Sequence, residues 1–160
     1  MHPRPQHRAK RIQALLALLI TGVGAGSTGC GGFDRAWDQA GELTSQAQRE
    51  QDPQGRWEGR WESHVNGHAG DLRAVIRRVG PGTYDARFKA WWGGVFSGGY
   101  DVTLRQKPGD GPLTCEGRSD LGWPWGEYAY ELRLSPDAVE ADYRSDSDHG
   151  VFVLRRPQQP

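Results

Sequence analysis

The sequence predicts an all-β protein: an eight-stranded antiparallel up-and-down meander, closed into a barrel and preceded by a signal peptide and a short helical or flexible tether. Three observations carry this. From Gly55 onward apolar and polar residues alternate with a period of two, which gives a strand one dry and one wet face. Turn-forming clusters of Gly, Pro, Asp and Ser separate the alternating runs at short intervals. No ten-residue stretch beyond Gly55 follows a helical period, so consecutive strands have no crossover helix between them and must pair antiparallel. An open meander would leave two unpaired edges, and closure removes them.

Composition divides the chain of 160 residues into a signal segment (1–29), a tether (30–54) and the β domain (55–160). The first segment holds Arg4, Arg8, Lys10 and Arg11 and no acidic residue, followed by an apolar run from Ile12 to Gly26. That run is shorter than the about 20 residues a spanning helix needs, and its basic flank and small-residue ending fit a secretory signal. Next comes Ser27-Thr28-Gly29-Cys30-Gly31. It resembles the lipobox of bacterial lipoproteins, in which small residues precede a cysteine that is lipidated and becomes the new N-terminus. Ser27 stands where that pattern usually has Leu. The resemblance implies a lipid on Cys30, a membrane as partner, and the extracytoplasmic side of the cell envelope, with the outer membrane expected over the inner. The alternatives are a plainly secreted chain or an uncleaved anchor. All 20 acidic residues lie beyond Cys30, whereas four of the 20 basic ones precede it, so the mature part is mildly acidic. It has no concentrated basic patch with which to hold nucleic acid.

In the tether, Phe33, Trp37, Ala40, Leu43 and Ala47 recur at spacings of three and four, the stripe of a short amphipathic helix. Gly41 weakens it, and Gln46 to Pro53 reads as a solvated spacer. The barrel strands follow in order. Trp57, Gly59 and Trp61 alternate with charged residues, and Leu72 to Val79 forms a less regular second run. Tyr84, Ala86, Phe88, Ala90 and Trp92 form the dry face of the third, and Tyr100, Val102 and Leu104 that of the fourth. Leu113, Cys115, Gly117 and Leu121 mark the fifth, Tyr128 to Leu134 the sixth, Val139, Ala141 and Tyr143 the seventh, and Val151 to Leu154 the last. Cys115 falls on the inward side and is expected to be a buried structural thiol.

Gly55-Arg56-Trp57 and Gly59-Arg60-Trp61 on the first strand, with Arg155 and Arg156 after the last, are similar to the calycin pattern of lipocalins and avidins. The resemblance implies that an Arg packs across a Trp and closes the barrel, here Trp57 or Trp61 with Arg155 or Arg156. The long first loop and following helix of lipocalins have no counterpart.

Few residues suggest chemistry. His64 and His68 are four apart, and His149 lies beside Asp146 and Asp148, but turn placement explains them better than a metal site. Ser145-Asp146-Ser147-Asp148 is too short for a calcium loop. Glu140 and Asp142 sit on a wet strand face, and no nucleophile elbow or phosphate loop occurs. No cofactor and no catalytic residue are expected. The aromatics are more suggestive. Trp91 and Trp92 are adjacent, so one must leave the core, and Trp123-Pro124-Trp125 occupies a Gly-flanked loop. The expectation is a non-enzymatic envelope lipoprotein whose Trp91, Trp123 and Trp125 rim a barrel that meets a glycan, lipid or protein. A solid, purely structural barrel or one serving a protein partner is the alternative, and an enzyme is a weaker third. Whether the barrel is hollow stays open, since eight strands enclose just enough width for their own side chains or one small ligand.

Overall fold

The computed structural model describes residues 30–158. The expected signal segment, with Ser27, Thr28 and Gly29 of the lipobox-like motif, lies outside them. Helix α1 (Cys30–Glu50) leads into strands β1 (Gly55–Ser63), β2 (Ala69–Gly80), β3 (Thr83–Trp92), β4 (Phe96–Gln106), β5 (Leu113–Asp120), β6 (Glu127–Leu134), β7 (Ala138–Arg144) and β8 (His149–Arg155). Each strand pairs antiparallel with its neighbour, and β8 returns to β1 through Glu58↔Arg155 to Ser63↔Gly150, so the sheet is a closed barrel. The eight-stranded closed meander read from the alternation is therefore the observed fold.

The two ends of the barrel differ. At the end where β1 starts, inward positions are large and the interior is solid: Trp57, Ile76, Leu104, Leu132, Val139 and Leu154 have no more than traces of exposed surface. Cys115 sits among them, fully buried as expected. Arg156 seals this end. Its guanidinium carbon lies 3.8 Å from the Trp57 ring centre, while Trp57 Nε1 donates to the Pro53 carbonyl at 2.9 Å. Of the pairings left open between Trp57 or Trp61 and Arg155 or Arg156, the structure makes Trp57–Arg156. Arg155 is exposed, and Trp61 stands at the opposite end with its Nε1 donating to the Trp91 carbonyl.

At the other end several inward positions are small. Ser63, Gly70, Ala90, Gly98, Ser119 and Gly150 lie toward that end of their strands. Several allow no side chain: a Cβ on Gly70 would lie 1.7 Å from the Trp91 carbonyl oxygen, and one on Gly150 would lie 2.0 Å from that of Glu62. Glycines placed where a neighbouring backbone approaches this closely let strands bend around a barrel.

Helix α1 is longer than the sequence suggested and does not end in a solvated spacer. It runs through Gln46 to Glu50 and lies on the outer wall. Phe33 and Ala40 bury against Val75, an outward residue of β2. Thr44 Oγ1 accepts the Arg56 backbone N–H at 2.8 Å, and Arg56 Nη2 donates to the Asp38 carbonyl. Trp37 lies between Arg56 and Arg73, at 5.4 and 4.9 Å, and Asp34 pairs with Lys89 at 2.8 Å. Packing against the barrel overrides the weak propensity at Gly41, because an amphipathic face is stabilised mainly by what it covers. Among the described residues no helix is long and apolar enough to cross a membrane.

Candidate functional site

Small residues at the loop end leave a cup of about 710 Å³ inside the barrel mouth. Its floor and walls are aromatic: Tyr100, Tyr128, Tyr130, Tyr143 and Phe152, with Trp61, Trp92 and Trp125 nearer the rim. A second feature widens it. The β4–β5 ladder runs only from Thr103↔Arg118 to Gln106↔Cys115, at the solid end. Toward the mouth the two strands part, and Gly98, Gly99, Ser119 and Asp120 line the opening between them.

The tyrosine rings lie nearly parallel. Tyr100 stacks on Phe88 at 5.1 Å and 19°, and on Tyr130 at 5.9 Å and 15°. Tyr128 continues the series at 6.4 Å and 26° from Tyr130. The rings thus cover much of one another's faces, and together they form one continuous aromatic wall to the cup. Burial pushes the phenols of Tyr100, Tyr130 and Tyr143 upward, so all three stay protonated donors at neutral pH. None of them supplies a base there. Asp148 Oδ1 accepts from the Ser63 hydroxyl at 2.6 Å at the cup's edge.

The mouth also gathers six of the eight exposed large apolar side chains of the described residues. Val65, Trp92, Val95, Phe96, Trp123 and Trp125 belong to three of its four loops or their flanking strand ends. Trp92 stacks on Phe96 at 6.4 Å. Gly122 and Gly126, both with positive φ, frame the β5–β6 loop, and backbone hydrogen bonds from Trp125 and Gly126 to the Gly122 carbonyl hold it.

The residues singled out in the sequence are distributed unequally. Trp125 lines the cup. Trp123 is 91% exposed on the loop tip and points elsewhere. Trp91 is not at the rim: odd positions of β3 face outward, and its ring sits on the outer wall 5.2 Å from Lys89 Nζ and 5.7 Å from the Arg73 guanidinium. The rim position on that strand belongs to Trp92. Cup residues that the sequence reading passed over, Tyr100, Tyr128, Tyr130 and Tyr143, were visible as inward aromatics clustered at the loop-side ends of their strands. The His64 and His149 rings meet edge to face at 6.0 Å, and among the described residues no group of three His, Cys, Asp or Glu side chains could hold a metal ion.

Fold and site together define a closed up-and-down β-barrel, solid at one end and hollow at the other. No family model matches the chain, and no curated protein sequence does. Among solved structures it is similar to a designed protein described as a fluorescence-activating β-barrel, with 21% identity and a TM-score of 0.50 over 65% of this chain and 93% of that one. At that identity the likeness speaks to the fold alone.

Proposed function

We propose that this protein is a lipid-anchored binding module of the bacterial envelope, carried on Cys30, that holds a small apolar ligand in its aromatic cup and performs no chemistry on it. The observation that carries the binding reading is the cup itself. A volume of about 710 Å³ falls within the usual range for small-molecule sites, which are concave, mostly apolar and furnished with a few polar groups. Here the polar groups include buried phenols, which are protonated at neutral pH and suited to donating hydrogen bonds. The designed barrel to which the chain is similar is described as fluorescence-activating, which is compatible with a barrel that binds. The anchor rests on the sequence: a basic, then apolar leader and the small residues before Cys30.

Titration with a neutral solvatochromic dye tests the cup. Saturable binding at one dye per protein, with a change in tryptophan emission, is expected, and Ala90→Phe should abolish it by filling the cavity. Dye binding that survives Ala90→Phe in a folded protein, or no binding by any apolar probe, would refute this reading. Mass spectrometry of the mature N-terminus tests the anchor: an acylated Cys30 supports it, and an unmodified N-terminus or intact Met1 overturns it. A second reading, docking of a protein partner, is favoured by Trp123 alone, whose ring is 91% exposed outside the cup.

A further inference from the structure

The cup has a charge pattern as well as a shape. Three carboxylates border it: Asp101, Asp120 and Asp148. Asp101 is neutralised, because both its oxygens bond Arg87 on the outer wall at 2.9 and 3.2 Å. Asp120 and Asp148 are not. Asp120 Oδ1 accepts the Gly122 backbone N–H at 2.8 Å, Asp148 Oδ1 accepts the Ser63 hydroxyl, and among the described residues neither forms an ion pair. Asp120 ends β5 and Asp148 lies on the β7–β8 connection, so the two reach the mouth from separate strands.

No Lys or Arg lines the cup, and His68 is the one lining side chain able to carry positive charge. Arg144, at the mouth end of β7, is on the outward face of the strand and does not line it. The same cup is walled by Tyr100, Tyr128 and Tyr130, electron-rich rings that also attract cations.

The geometry points to a flat organic cation as the ligand, an aromatic or alkylated ammonium whose body lies against the tyrosine wall and whose charge rests at the mouth near Asp120 and Asp148. This inference depends on the binding reading above and adds the sign of the ligand's charge. An anion of the same shape would meet two uncompensated carboxylates in an electron-rich aromatic cup, with no lysine or arginine to receive it. A neutral ligand would fit but forgo the attraction.

Three tricyclic dyes of one size separate these cases on the full mature chain at neutral pH: aminoacridine as cation, acridine as neutral analogue and acridine carboxylate as anion. Binding is read by dye fluorescence and by displacement of one dye with another. The cation is expected to bind about tenfold more tightly than the neutral dye, with the anion weakest, and added salt should narrow the gap. Replacing both carboxylates, Asp120→Asn with Asp148→Asn, preserves the hydrogen-bond acceptors and should bring the cation's affinity down to that of the neutral dye, whose own affinity is unchanged. Equal binding of cation and neutral dye, tighter binding of the anion, or an unaltered preference in the folded double variant would overturn the inference while leaving the cup a binding site. No saturable binding of any dye would remove the binding reading and this inference with it.

Discussion

Arg156 places its guanidinium 3.8 Å from the centre of the Trp57 ring and donates to three backbone carbonyls at once: Gln54 and Asp52 at 2.6 Å and Pro136 at 3.0 Å. One side chain thus ties the end of the last strand to the approach of the first and to the β6–β7 turn. Burial lowers its pKa to about 10, still well above neutrality, so it remains a cation at physiological pH. Lysine offers charge without the planar fork that serves three acceptors while stacking. Arg156→Ala should cost about 2–3 kcal/mol in urea unfolding, with Arg156→Lys recovering less than half. A loss within 0.5 kcal/mol for Arg156→Ala would mean that the seal contributes nothing.

How much of this was legible depended on where each residue's partners lie. The strands were legible because alternation is a local property of the chain, and Trp57, Phe88, Cys115 and Leu132 fall on the inward side as their parity dictates. The α1 stripe was legible too. Its docking was not, because the receiving surface is built from residues far away in sequence. The one sign was Val75, whose burial together with Ala74 and Ile76 breaks the alternation of β2. The hollow cup was hidden for a similar reason. Each small inward residue looks innocuous alone, and Ala90 and Gly98 open a cavity only because the ladder sets them side by side on neighbouring strands. Trp91 and Trp92 were ambiguous only in where the strand ended: parity sends Trp92 inward, but as the last residue of β3 it reaches the rim.

The docked helix makes its own prediction. Ala40 has no exposed surface where α1 meets Val75, and there is no room there for a charged group. Ala40→Glu should release α1 from the wall, exposing the tether to limited proteolysis between Cys30 and Gln54 while the barrel remains a resistant fragment. Equal protease resistance of wild type and variant would show that the helix is held by other contacts.

The inward glycines predict a sharp contrast in tolerance. Gly70→Ala would drive a methyl into the Trp91 carbonyl, whereas Gly109→Ala meets nothing within 4 Å. Overpacking of this kind costs typically about 1–3 kcal/mol, and a surface change away from special features stays within about 0.5 kcal/mol. Thermal or urea midpoints of the two variants compare them directly. Equal midpoints would show that β2 and β3 can separate at the mouth without penalty.

Cys115 should be chemically silent in the native state. Burial raises its thiol to about 11, which leaves little thiolate near neutral pH, and no surface is open to a reagent. Alkylation by iodoacetamide at mildly alkaline pH is expected to be slow in buffer and rapid in denaturant. Labelling in buffer at the denatured rate would place the thiol outside the solid end of the barrel.

The same burial sets the alkaline limit of stability. Tyr84, Tyr100, Tyr130 and Tyr143 all have phenol pKa values raised above the ordinary 10.0, chiefly by desolvation. An acid raised on folding keeps its proton in the native state after the unfolded chain has lost its own. The native state then binds more protons, and stability falls as pH rises past the unfolded value. Cys115 acts in the same direction from its ordinary 9.0 upward, and Arg156, lowered to about 10, opposes it as a single group. The contribution is thus whole below about pH 9 and is lost progressively above about pH 10. Tyrosinate absorbance of these phenols should therefore appear in one cooperative step, coincident with loss of the β-sheet circular dichroism. Tyr130→Phe removes one retained proton and should move that step to higher pH. A gradual rise in tyrosinate centred near the ordinary phenol value, with the sheet signal intact, would show that water already reaches these rings and that the cup is wider and wetter than its parallel stack implies.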